Sequence, residues 1–139
     1  MEKILVSACL LGNNCKYDGT NNKNEKVIEY IKDKEIIPMC PEIYGGLSTP
    51  RVPSERKGDK VITKNGEDVT VNFLKGAKET LYIAKLFNIK KALLKAKSPS
   101  CGNGIIYDGS FTHTKIEGYG VTAELLKENG IEIITENDL

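Results

Sequence analysis

The sequence predicts an α/β protein with a compact Rossmann-like three-layer sandwich. Its sheet should be mainly parallel, with about four to five strands and small hairpin excursions beside it. Short apolar runs of strand length alternate along the chain with amphipathic segments of helical period. Strand–helix–strand alternation of this kind implies right-handed crossovers and a parallel sheet covered on both faces. No repeat, low-complexity tract or linker-like shift interrupts the 139 residues, a length that buries one core, so residues 1–139 are expected to form a single domain.

Taken in order, Lys3 to Ala8 reads as a buried strand. Asn24 to Lys32 reads as a short helix with Val27, Ile28 and Ile31 on one face and Asn24 as its cap. Glu35 to Met39 is the second strand. Lys60 to Val69 is expected to form a hairpin-like excursion around Asn65-Gly66, a strong turn dipeptide. Asp68 or Thr70 then caps a longer helix to about Phe87, with Leu74, Ala77, Leu81 and Ala84 at helical spacing. Lys91 to Ala96 is the third strand. Ile105 to Tyr107 and Phe111 to Lys115 flank Asp108-Gly109 as a second hairpin. Gly118 to Asn129 makes a last helix closed by Gly130, and Ile131 to Thr135 a last strand. The simplest order puts the first strand centrally, with ligands expected at the carboxyl ends of the strands beside it.

Apolar residues make up 40% of the chain and charged residues 28%, as in an ordinary soluble globule. A net charge of +1 gives no electrostatic footprint for a long nucleic acid. The densest basic run, Lys85 to Lys97, reads as a solvated helix end and strand rim. The opening Met-Glu-Lys leads into Ile4, Leu5 and Val6, too short a run for a signal peptide, and no stretch reaches membrane-spanning length. A cytoplasmic location is therefore expected. In that reducing compartment the four cysteines read as ligands or catalysts rather than disulfides.

The loops after the first three strands hold the unusual residues. They run Ser7-Ala8-Cys9 to Asp18-Gly19, Cys40-Pro41-Glu42 to Pro50-Arg51, and Lys97-Ser98-Pro99-Ser100-Cys101-Gly102. Each puts a cysteine at or beyond the carboxyl end of its strand, and a parallel sheet brings those ends to one edge. Cys9, Cys40 and Cys101 are thus expected to converge. Thiolates without a neighbouring histidine suit zinc or an iron–sulfur cluster; the single His113 is expected on the surface or in a hairpin. Structural zinc favours closed four-ligand sites with short paired spacings, and no C-x-x-C pair occurs. A cluster held by three cysteines leaves one iron open, with Glu42, Ser98 and Ser100 placed to stand round it. Two other readings stay open at this level: a structural zinc protein closed by Cys9, Cys15, Cys40 and Cys101, and a cysteine-nucleophile sulfur carrier with one low-pKa thiolate. Neither Gly12 nor Gly45-Gly46 belongs to a nucleotide-binding fingerprint.

At these residues the sequence resembles a known family. VSACLLGNNCKYDG, CPEIYGGLSTPR and KSPSCG are similar to three signatures of the thiouracil desulfidases, long catalogued as a domain of unknown function, and the likeness runs from Lys3 to about Asn129. The resemblance implies a [4Fe-4S] cluster on Cys9, Cys40 and Cys101 and non-redox removal of sulfur from a thiolated pyrimidine, releasing sulfide. It implies that Glu42 is the acid/base carboxylate and that Ser98 and Ser100 line the pocket. Cys15 falls where the family also accepts residues that cannot ligate, which makes it a spare or second-sphere thiol. Lys16 stands where arginine is common, keeping the charge but losing the planar fork. No extra carboxyl-terminal domain of the kind some relatives carry is expected. A small-molecule substrate is therefore expected rather than a large RNA.

Overall fold

The computed structural model describes residues 1–139. Its main sheet has four parallel strands: β1 (Lys3–Ser7), β2 (Glu35–Met39), β5 (Lys91–Leu94) and β8 (Glu132–Thr135), in the order β2-β1-β5-β8. Two antiparallel hairpins lie apart from it, β3 (Ser54–Lys57) with β4 (Lys60–Thr63) and β6 (Asn103–Tyr107) with β7 (Lys115–Tyr119). The helices are α1 (Glu25–Tyr30), α2 (Pro41–Tyr44), α3 (Thr70–Leu86) and α4 (Val121–Glu128). No helix is long and apolar enough to cross a membrane.

β1 is buried on both faces because both are covered, so its core residues follow one another without polar alternation. Leu5 points into a cluster with Met39, Ala92, Leu94, Ala84 of α3, and Ala123 and Leu126 of α4. Ile4 and Val6 point the other way, to Leu10, Val27 of α1 and Leu93. Helices therefore lie on both faces, which makes the three layers. Asn24 caps α1 as its residue type suggests, its Oδ1 accepting from the N–H groups of Lys26 and Val27 at 2.9 and 3.2 Å.

Several expected elements are displaced. The first hairpin starts earlier than Lys60, because Ser54–Lys57 pairs with Lys60–Thr63 around Gly58, whose φ is 61°. Ser54–Lys57 has no apolar alternation; pairing and the Arg56 fork hold it, with bonds to Gly58 O, Tyr119 O and Glu124. Asn65-Gly66 does turn the chain, Gly66 N donating to Thr63 O at 2.8 Å, and this returns Asp68 beside Ile62. In the second hairpin the returning arm is Lys115–Tyr119 rather than Phe111–Lys115. Phe111 and His113 have φ of 58° and 60°, which no strand accommodates. That pushes the start of the last helix from Gly118 to Val121. Ala77 and Ala84 are buried and Leu81 packs on the core as expected, but Leu74 is 45% exposed, and Phe73, Gly76 and Thr80 complete the inward face of α3.

Gly76 belongs to that inward face because α2 approaches α3 closely. A Cβ on Gly76 would sit 1.9 Å from Pro41 O, and one on Gly45 would sit 2.1 Å from Asn72 O. Glycine inside a helix ordinarily costs about 1 kcal/mol against alanine, so propensity alone makes Gly76→Ala stabilising. A backbone oxygen at that distance cannot yield without moving α2, and overpacking of this kind costs about 1–3 kcal/mol. Gly76→Ala should thus lower the urea midpoint, the overpacking outweighing the propensity gain by up to about 2 kcal/mol. An unchanged or raised midpoint would show that α2 and α3 are free to separate.

Candidate functional site

The carboxyl ends of β1, β2 and β5 open on one cavity of about 530 Å³, within the ordinary range of small-molecule sites. Cys9 follows β1 in a short 3-10 turn, Cys40 follows β2 as the N-cap of α2, and Cys101 lies in the loop between β5 and β6. All three line the cavity with Cys15, Glu42 and Ser98. None of the four thiols is in a disulfide. No three of the His, Cys, Asp and Glu side chains gather about one point as ligands of a single metal ion do.

Close backbone packing fixes each cysteine segment. The Pro41–Gly76 and Gly45–Asn72 approaches seat Cys40 and Glu42 on α3. The Cys101 segment is held from both sides: a Cβ on Gly120 would lie 2.3 Å from Ser100 C, and one on Gly102 would lie 2.8 Å from Ser98 O. Cys9 O accepts from Gly12 N at 3.2 Å and Asn22 N at 2.9 Å, tying its turn to the following loop. Gly12 makes that turn with a φ of 102°.

Arg51 ties two of these segments together. Its Nε donates to Glu42 Oε1 at 3.1 Å, Nη2 to Cys15 O at 2.9 Å, and Nη1 to Ser48 O and Thr49 Oγ1. The pair is shielded, with Arg51 and Glu42 side chains 8% and 19% exposed. Burial pushes the Glu42 carboxyl above the ordinary range; the Arg51 charge and hydrogen bond pull the other way and do not cancel it. Burial pushes the Cys101 thiol up to about 12 and raises Cys9, which the Asn22 side chain partly offsets. Cys40 Sγ donates to the Cys15 carbonyl at 3.8 Å, and the neighbouring Cys15 thiol holds Cys40 below the ordinary thiol range while being raised itself.

Ser98 lines the cavity, and its Oγ accepts from Ser100 N and Cys101 N at 3.1 and 3.0 Å. With its lone pairs engaged, its O–H proton remains to be donated. Ser100 is a correction. It is buried, 2.8 Å from Thr122 Oγ1, and its carbonyl accepts from the first turn of α4, so its hydroxyl does not line the cavity. His113 is exposed in a hairpin loop, as expected, and that loop also brings it to the cavity of the cysteines, with Tyr107 and Phe111. Lys16 is there too, 5.6 Å from the centroid of the Tyr17 ring, while the planar fork is supplied by Arg51. Lys95 lies in the wall and is paired with Glu136 at 2.8 Å. Sequence reasoning missed Arg51 and Lys95. Arg51 ends the second signature segment, the one sign by which it was findable.

A parallel α/β sheet whose strand-end loops gather four unbridged thiols, a half-buried carboxylate and an arginine fork defines a Rossmann-like protein with a thiol-lined ligand cavity. The family described as 2-thiouracil desulfurase matches residues 4–138, and the chain belongs to that family. It is 45% identical over 146 residues to the uncharacterized protein YbbK of Bacillus subtilis (strain 168), covering 98% of this chain and 97% of that one. It is also similar to the solved structure of the [4Fe-4S]-dependent thiouracil desulfidase TudS. The TM-score is 0.92 at 42% identity, over 100% of this chain and 93% of that one.

Exposure separates the thiols. Cys9 and Cys40 are half-buried, whereas Cys15 and Cys101 are buried. In metal-free native protein, brief iodoacetamide treatment followed by peptide mass spectrometry should label Cys9 and Cys40 well before Cys101. Early labelling of Cys101 would mean that the Gly102–Gly120 packing opens in solution.

Proposed function

We propose that this chain is a [4Fe-4S]-dependent desulfidase that removes sulfur from a thiolated pyrimidine, thiouracil or thiouridine, without net redox chemistry. The observation that carries this reading is one cavity lined by Cys9, Cys40 and Cys101 together with Glu42 and Ser98, in a chain of the 2-thiouracil desulfurase family. The donor set fits the cluster. A zinc ion draws four ligands to about 2.0–2.3 Å of one point. An iron–sulfur cluster is likewise held by cysteine thiolates, and the thiols of Cys9, Cys40 and Cys101 line one cavity. Cys9, Cys40 and Cys101 would hold it. Cys15 is read as a second-sphere thiol, its backbone carbonyl beside the Cys40 sulfur at 3.8 Å.

Bound there, the cluster supplies at its open iron a Lewis-acid position for the thiocarbonyl sulfur. The rest of the work falls to the chain. Glu42 takes a proton from the water that attacks the ring carbon and returns it as the carbon–sulfur bond breaks. Arg51 holds the carboxylate by Oε1, leaving Oε2 to meet the water. Ser98 donates its free O–H to the pyrimidine edge, where negative charge develops. Uracil or uridine and sulfide leave, and no electron is transferred.

Two predictions follow from these roles. Cys9→Ala, Cys40→Ala and Cys101→Ala should each fail to hold a full cluster after anaerobic reconstitution, counted as iron and sulfide per chain, while Cys15→Ser keeps most of it. Full content in Cys101→Ala would remove that residue from the ligand set, and loss in Cys15→Ser would favour a four-thiolate site. Glu42→Gln should retain the cluster yet release sulfide from thiouracil about 10²–10⁴-fold more slowly, the usual contribution of a general acid–base group. Parent-like turnover by cluster-replete Glu42→Gln would leave the carboxylate with no part in proton transfer.

A further inference from the structure

Four residues other than glycine adopt left-handed backbone: Asn88, Lys97, Phe111 and His113, with φ of 55°, 67°, 58° and 60°. Asn88 lies just past α3, where such a conformation ordinarily ends a helix. The other three all line the cavity that holds the cysteines. Left-handed backbone is unfavourable for bulky side chains and persists only where the surroundings impose it; such strain gathers at ligand sites.

The surroundings here do impose it. Glu55 Oε1 in β3 accepts from Gly109 N at 3.0 Å and Phe111 N at 3.1 Å. Asp108 N donates to Thr114 O at 3.0 Å, closing the loop at its base, and Asp108 Oδ1 accepts from Ser110 N at 2.9 Å. Tyr107 meets His113 edge to face, with ring centroids 6.3 Å apart and planes at 80°. One hairpin carboxylate therefore holds, in an unfavourable conformation, a loop that brings three rings to the cavity. Packing does not account for that: Phe111 is half-buried, His113 is exposed, and neither belongs to a core cluster.

We infer that Phe111 and His113 are substrate-binding residues which clasp the faces of a planar heteroaromatic ring, and so set affinity and ring selectivity while leaving the chemistry to other groups. The inference rests on the proposed function for the identity of the ring, a pyrimidine, and concerns residues outside the ligand and proton-transfer sets. Flat rings gain from stacking on aromatic side chains whatever their edge substituents. A saturated ring with the same hydrogen-bonding edge gains little.

The test uses cluster-loaded protein and the variants Phe111→Gly, His113→Asn and Phe111→Tyr. Glycine and asparagine suit left-handed backbone, so the first two remove a ring without adding strain. Each should raise KM for thiouracil about tenfold, the order of a lost base–aromatic stack, with kcat held within about twofold. Phe111→Tyr should behave as the parent. Ligand NMR on the same samples should show uracil bound in preference to 5,6-dihydrouracil by the parent, with that preference lost in Phe111→Gly and His113→Asn. Parent-like KM and parent-like ring preference in both variants would overturn the inference, as would a fall in kcat at unchanged KM. A parent that binds uracil through this wall yet never releases sulfide would sink the desulfidase reading and keep the wall. A parent that does neither would sink both.

Discussion

β1 lies between β2 and β5, with Leu5 opposite Ile37 on one side and Ala92 on the other, and all three strands run the same way. That parallel register is the constraint on which the site depends. It sets three loop origins side by side at one sheet edge, with the chain reversing its direction of travel next to β1. Residues far apart in sequence, Cys9, Cys40 and Cys101, then share a cavity as a consequence of topology. The apolar run that specifies the arrangement, Ile4 to Val6, packs alternately into the two helical layers, so a slip of β1 by one residue would exchange its two faces.

Topology brings the loops close, but backbone contacts decide where their side chains stand. Glycines 45, 76, 102 and 120 let main chain approach main chain where a methyl group would collide, and they flank the Cys40 and Cys101 segments. Arg51 adds a charged tie between Glu42 and the Cys15 carbonyl. A buried ion pair is a weak source of stability, because desolvation offsets much of the attraction, whereas removing one partner leaves an uncompensated charge at a cost of about 3–5 kcal/mol. Arg51 is therefore best understood as fixing the direction of a half-buried carboxylate. Preorganisation of that kind is what the proposed exchange of a proton with the attacking water would require.

Much of this was legible in the residues. β2 falls on Glu35–Met39 as its composition indicates, α1 begins after the Asn24 cap, and the cysteine-bearing loops follow their strands. The parallel four-stranded sheet and its covering helices follow from the alternation of runs. What was not legible has a common physical origin. Ser54–Lys57 is a strand through pairing and side-chain forks, with no periodicity of its own. The register of the second hairpin is set by Phe111 and His113 in left-handed backbone, a conformation their residue types do not announce. Ser100 differs from Ser98 by two positions, yet only contact with Thr122 tells which hydroxyl is buried. Such outcomes come from tertiary contact, which single-sequence patterns do not carry.

The central claim is that the cavity holds a four-iron cluster on three of its thiols. The most direct measurement is metal and acid-labile sulfide analysis of the unmodified protein, purified without oxygen, with Mössbauer spectra recorded before and after thiouracil is added. The account predicts about four irons and four sulfides per chain and no stoichiometric zinc, with one iron distinct from the other three and altered by thiouracil. One zinc per chain, or a colourless metal-free protein with a single reactive thiol, would contradict it.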